Sequence, residues 1–98
     1  MTLPLSDIRI VDFSQNVAAP SGGMMLADQG ADVIKVEPPG GGSSRTNIPA
    51  INGMTLYFMS FNRNKRSIMV DVTKDEGRDV TYDLARWADV FITNSRLD

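Results

Sequence analysis

Ninety-eight residues, 42% of them hydrophobic and 22% charged, describe one small globular domain rather than a disordered or fibrous chain. A formal net charge of −2 argues against general nucleic-acid binding, which wants a strong basic excess. With neither Cys nor His, a disulfide framework, a conventional zinc site and an imidazole base are excluded, so any chemistry falls to carboxylates, hydroxyls, amides and cations.

Apolar runs are only a few residues long, and the N-terminus lacks a basic region leading into an apolar stretch. The expectation is a cytoplasmic chain with neither signal peptide nor membrane span. A chain of this size buries only about two-thirds of the surface that its unfolded form exposes, so reliance on more chain or on a partner is expected.

In chain order, the β-branched run Ile8-Arg9-Ile10-Val11-Asp12-Phe13 reads as a buried strand ending near Asp12. Ser14 to Ala19 is a polar turn, and Pro20 suits the first turn of a helix running to about Gln29, with Gly30 as its stop. Gly22 and Gly23 weaken that helix and point to a close approach, more often of packed protein than of a ligand. Asp32-Val33-Ile34-Lys35-Val36-Glu37 is a second strand, halted by Pro38-Pro39 and Gly40-Gly41-Gly42. Strand, helix, strand with short links is the βαβ unit of a parallel sheet.

Pro38 to Gly53 reads as one long turn-rich loop, and a short helix is expected from about Met54 to Phe61. Ile68-Met69-Val70 is the third strand. Thr73-Lys74-Asp75-Glu76 has the spacing of a capping box, with Val80, Leu84 and Trp87 recurring at helical spacing behind it. Val90-Phe91-Ile92 is the fourth strand. The class is therefore α/β, with helices flanking a parallel sheet.

Two features carry candidate chemistry. The turn Asn62-Arg63-Asn64-Lys65-Arg66 concentrates cations and reads either as an anion site, its guanidinium forks suited to phosphates, or as a solvated basic turn. The ends of the four strands, Ser14 to Ala19, Pro38 to Gly42, Asp71 to Thr73 and Asn94 to Arg96, are where open parallel sheets bind ligands. Asp12 and Asp71 stand where a nucleophile could be placed, although Asp at such positions is usually a turn former. Neither G-x-G-x-x-G nor G-x-x-x-x-G-K-[ST] occurs.

Five blocks in order resemble the N-terminal segment of the family III CoA-transferases, which also contains the α-methylacyl-CoA racemases. They are Pro4 to Phe13, Ala18-Ala19-Pro20, Leu26 to Gly40, Asn62 to Ile68 and Ala88 to Asn94. The resemblance implies a Rossmann-like sheet, with residues 1–98 forming the N-terminal part of a CoA-binding large domain whose catalytic segment and small domain lie elsewhere. It implies CoA or acyl-CoA as a substrate rather than a tightly bound cofactor, a carboxylic acid as second substrate, and an interlocked homodimer.

Carried over residue by residue, the implied CoA contacts are Val17, Ala18, Pro38, Val70, Asp71, Val72, Thr73, Asn94, Ser95 and Arg96. Several identities depart from the formyl-CoA transferase branch: Val17 stands where a Gln contacts the ligand, Pro38 where an Arg does, Thr73 where a Lys does and Ser95 where an aromatic does. Lys74 is placed to restore a cation, and backbone contacts survive such changes. No residue matches the nucleophilic Asp of the transferases or the His and Asp of the racemases, so the chain is expected to be inactive alone. Asn62-Arg63-Asn64 favours the transferase branch over the racemases. A non-catalytic CoA- or nucleotide-binding module, or a gene remnant, is the alternative of another class.

Overall fold

A computed structural model describes residues 2–14, 18–39, 50–51 and 54–94. The elements are β1 (Arg9–Asp12), α1 (Ala18–Asp28), β2 (Asp32–Glu37), β3 (Ala50–Ile51), β4 (Met54–Thr55), α2 (Leu56–Phe61), β5 (Arg66–Met69), α3 (Asp75–Trp87) and β6 (Val90–Ile92). Four of the strands form one parallel sheet in the order β5-β2-β1-β6, and β3 pairs antiparallel with β4. Taken as first to fourth strand of the large sheet, the order is third, second, first, fourth, which matches the first four positions of the 3-2-1-4-5-6 order of a doubly wound Rossmann-like sheet.

Each connection is set by local chemistry. Helix α1 ends in a Schellman motif, Ala31 N–H donating to Leu26 O at 3.2 Å and Gly30 N–H to Ala27 O at 3.0 Å. Gly30 takes φ +103°, and a Cβ there would stand 2.6 Å from Leu3 Cβ. The stop expected at Gly30 is thus where the helix ends. Asn64, the one non-glycine with positive φ among the described residues (65°), turns the chain out of α2 into β5.

The sheet is covered on both sides. Ile10 and Val33 pack with Ala27 and Ala31 on the α1 side, while Val11, Val36 and Val70 pack with Leu84 and Trp87 on the α3 side. The α1 side changes character along its length: below the apolar cluster, Asp12, Ser14, Lys35 and Glu37 are all buried toward the carboxyl ends of the strands. On the α3 side, Trp87 lies under two guanidinium groups, Arg9 at 5.5 Å and Arg66 at 6.0 Å from the ring centre. Phe13 and Phe91 stack with ring centres 5.2 Å apart.

Several sequence expectations are corrected. β5 begins at Arg66 and stops at Met69 instead of running from Ile68 to Val70, because Arg66 pairs with Ile34 and Ser67 with Lys35 although neither is apolar. β3 falls in the stretch read as loop, and its antiparallel partner β4 takes the first two residues of the stretch read as helix, so that α2 starts at Leu56 rather than Met54. The rest of the Pro38–Gly53 expectation, residues 40–49 and 52–53, lies outside the described residues. The capping box does not form: Lys74 is the N-cap of α3 and makes no side-chain cap bond, while the Thr73 hydroxyl donates to Asp71 Oδ1 instead. Among the described residues no helix is long and apolar enough to cross a membrane.

Candidate functional site

Because the four strands are parallel, their carboxyl ends share one edge of the sheet. The strand order turns back at β1, with β2 on one side and β6 on the other, and such switch points leave a crevice beyond the strand ends. At this point Phe13 and Ser14 follow β1 and Thr93 and Asn94 follow β6, the two segments being tied by Phe13 N–H donating to Ile92 O at 2.8 Å.

Beneath the β1 side of this crevice lies a buried charged cluster. The Lys65 ammonium donates to Asp12 Oδ2 at 2.6 Å, to Pro20 O at 2.9 Å and to Asn62 Oδ1 at 3.0 Å, which satisfies all of its hydrogens. The Lys65 and Asp12 side chains are 2% and 0% exposed. The second oxygen of Asp12 accepts from Ser14 N–H at 2.8 Å and from the Ser14 hydroxyl. Lys35 donates to Ser14 O at 2.9 Å. Gly23 makes room for the cluster, since a Cβ there would meet Asp12 Oδ2 at 3.0 Å and Lys65 Nζ at 3.4 Å. Gly23, in the second turn of α1, therefore reflects packing; at Gly22 nothing stands within 4 Å.

The anion-site reading of the basic turn is overturned by where its cations go. Arg63 forks onto Asp28, with Nη2 2.7 Å and Nε 3.1 Å from Oδ2, and Asn64 donates to the other oxygen at 2.7 Å. Arg66 forks onto Asp32 at 3.0 and 2.7 Å. Each cation already has a carboxylate, so no cluster of free positive charge is left for phosphates. Asp12, likewise, is a buried structural acceptor with both oxygens engaged rather than an accessible nucleophile.

At the other end of the edge, an open groove of about 240 Å³ runs between β5 and the first turns of α3, lined by Ile68, Met69, Val70, Gly77 and Val80 and by the charged residues Asp71, Lys74 and Glu76. Asp71 closes an Asx turn, its Oδ1 accepting from Thr73 N–H at 3.0 Å and from the Thr73 hydroxyl, and these bonds hold its carboxyl below the usual carboxylate range. Of the residues expected at the site, Val70 and Asp71 line this groove and Val72 and Thr73 form the turn above it. Pro38 follows β2, Asn94 follows β6 and Ala18 opens α1, so all of them lie at the same sheet edge, with Val70 and Asp71 lining one groove there. Val17, Ser95 and Arg96 lie outside the described residues.

Gly77 escaped the sequence reading. A Cβ at that position would fall 1.9 Å from Asp71 O, so the floor of the groove exists only because α3 rides on the β5 terminus without a side chain between them. An isolated Gly inside a helical pattern was the available signal, because such a residue usually has a packing reason.

The carboxyl of Asp28 is held below its ordinary 3.8, first by the hydrogen bond from Arg63, with Asn64 and the Arg63 charge adding to it against the effect of burial. A carboxylate depressed in the folded state contributes stability that is present above the unfolded value and lost as pH falls through the folded value. Asp28→Asn is therefore expected to lower stability slightly near neutrality and to flatten the further loss on acidifying below about pH 4, so that variant and parent converge in acid, as read by urea midpoints across that range. Parallel curves for the parent and the variant would dismiss the pair as a contributor.

The chain matches the model of the family described as CoA-transferase family III over residues 5–98. It is 42% identical over 92 residues to a probable fatty acyl-CoA transferase of Mycobacterium tuberculosis, covering 91% of this chain and 23% of that protein. It is 43% identical over 95 residues to the succinyl-CoA:mesaconate CoA-transferase of Haloarcula hispanica, covering 92% and 24%. A crystal structure of a CAIB/BAIF family protein from Brucella suis superposes with a TM-score of 0.92 at 40% identity, covering 99% of this chain and 27% of that one. The chain thus spans about a quarter of the length of these relatives.

Proposed function

Since the chain belongs to CoA-transferase family III, we propose that it carries part of the CoA-binding edge of an enzyme that moves CoA between an acyl-CoA and a carboxylic acid. Residues 1–98 form, on this reading, the N-terminal part of the large domain, and the nucleophile that would take up the acyl group is supplied by sequence outside them. One observation carries the reading. The stretches that the resemblance assigns to CoA follow the carboxyl ends of strands in a single parallel sheet, where a long, extended ligand meets them in succession.

The groove beside β5 suits one part of such a ligand and not the whole. Its walls are mainly aliphatic, a surface that suits a flat heteroaromatic ring, while Lys74 stands beside the carboxylates Asp71 and Glu76, so the groove itself offers no excess positive charge to a phosphate. The transferase names of the relatives favour this activity over racemisation. Self-association accompanies the reading, because among the described residues β5 and β6 are the outer strands of the sheet, Met69, Val90 and Phe91 are exposed on them, and α3 buries no residue completely.

The test uses the purified chain. Coenzyme A should raise its melting temperature only at high micromolar to millimolar concentration, and incubation with an acyl-CoA and an acceptor acid should give no new thioester. Light scattering should show species larger than a monomer. A folded chain indifferent to millimolar CoA would sink the binding reading. Turnover that disappears in Asp71→Asn would instead put the nucleophile inside these residues.

A further inference from the structure

Glycine is the poorest helix former after proline, yet Gly77 stands in the first turn of a helix that begins at Asp75. A Cβ there would fall 1.9 Å from Asp71 O and 2.6 Å from Asp71 C, so α3 rests with bare backbone on the carbonyl two residues beyond β5. That same carbonyl accepts from Lys74 N–H at 3.2 Å, and the Asp71 carboxylate accepts from Thr73 N–H at 3.0 Å and from the Thr73 hydroxyl. The β5–α3 turn is thus held twice, by its own bonds within and by Gly77 from behind.

Stability alone is a poor reason for this arrangement. Since α3 buries no residue completely, an apolar side chain at position 77, with the helix set slightly farther from the sheet, would gain both helix propensity and buried area. What only glycine gives is the close seat. Val70, Asp71 and Gly77 line one groove, so the residue that seats the turn also shapes the cavity beside it.

We propose that Gly77, acting through the Asp71 carbonyl, is a positioning residue for CoA: it seats the β5–α3 turn against the sheet, so that turn and groove meet the ligand already in place. The proposal rests on the CoA reading above. At about 240 Å³ the groove is smaller than the roughly 300–1,000 Å³ of pockets that enclose a drug-sized ligand, so it receives one part of CoA and its exact shape matters to that part. A ligand that must order its own binding turn gives up affinity, and a turn held in advance removes that loss.

The experiment titrates the isotope-labelled, full 98-residue chain with coenzyme A, taking dissociation constants from backbone amide shifts and order parameters of residues 71–74 from amide relaxation. In the free parent those order parameters should equal those of β2, near the roughly 0.85 of rigid backbone, and CoA should shift the Val70 and Gly77 amides without changing them. In Gly77→Ala they should fall, and the folded molecules should bind CoA at least about tenfold more weakly. Ile10→Val is the control, because it loosens the apolar cluster on the α1 side without touching the groove and should leave the constant within about twofold of the parent. A purely structural role for Gly77 predicts the same small change in Gly77→Ala, and that result overturns the proposal while the CoA reading stands. Equal weakening in Ile10→Val, or binding that leaves the Val70 and Gly77 amides unmoved, overturns it too. Order parameters below about 0.6 at residues 71–74 of the free parent also overturn it, and this measurement decides alone if Gly77→Ala does not fold. A folded parent that does not bind CoA overturns both readings.

Discussion

Lys65→Met should lower the unfolding free energy by about 3–5 kcal/mol, enough to unfold much of a population whose total stability is of order 5–15 kcal/mol. The loss has two sources. Three acceptors lose their donor, and the Asp12 carboxylate, with its side chain 0% exposed, is left in the interior with only Ser14 for company. The attraction of a buried pair is about balanced by its desolvation, so removing both charges costs less than removing one. Asp12→Asn combined with Lys65→Met should accordingly recover part of the stability that the single change loses, which gives a non-additive cycle in urea denaturation. A single-variant cost below about 1 kcal/mol would mean that the pair behaves as if solvated, like an ordinary surface salt bridge.

Gly77→Ala is the second large effect, and its sign separates geometry from propensity. In the interior of a helix, replacing Gly by Ala gains about 0.8–1 kcal/mol. At Gly77, however, the new methyl would lie 1.9 Å from Asp71 O, 2.6 Å from Asp71 C and 3.2 Å from Val70 Cγ1. Two of those three are backbone atoms, which cannot step aside as a side chain does, so α3 has to lift away from β5. Overpacking of this kind costs about 1–3 kcal/mol or more, which outweighs the propensity gain. Gly22→Ala is the matched control: nothing lies within 4 Å of a Cβ at that position, so there the gain should be realised. If both variants prove more stable than the parent in thermal melts, the close approach of α3 to the β5 terminus is wrong.

How much of this was readable beforehand depended on whether the cause was local. β2 and β6 have the bounds expected of them, because compact β-branched runs are cut off by unambiguous neighbours, Gly30 and Pro38-Pro39 for β2 and the polar Thr93-Asn94 for β6. The family and the parallel sheet were legible for the same reason. The basic turn stayed open between an anion site and a solvated turn because its meaning is set by distant partners: Asp12, Asp28 and Asp32 come to Lys65, Arg63 and Arg66 only once β5 has docked beside β2. No spacing rule links residues 53 positions apart. Thr73 failed as a cap for a nearer reason, in that Asp71 two residues earlier offered its hydroxyl a carboxylate.

The strand order also imposes a timetable on synthesis. β1 is the first of the described strands to be made, yet it lies in the interior of the sheet, and its partner on one side, β6, is the last of them. β2 and β5 can join β1 as soon as Met69 has emerged, but the other edge of β1 has no mate until Ile92 follows. At about 5–20 residues per second that interval is on the order of 1–5 s, far longer than a hairpin needs to form. During each round of translation the central strand must therefore spend seconds with a bare backbone ladder, the period in which the nascent chain is most open to a chaperone or to a neighbouring chain on the same message.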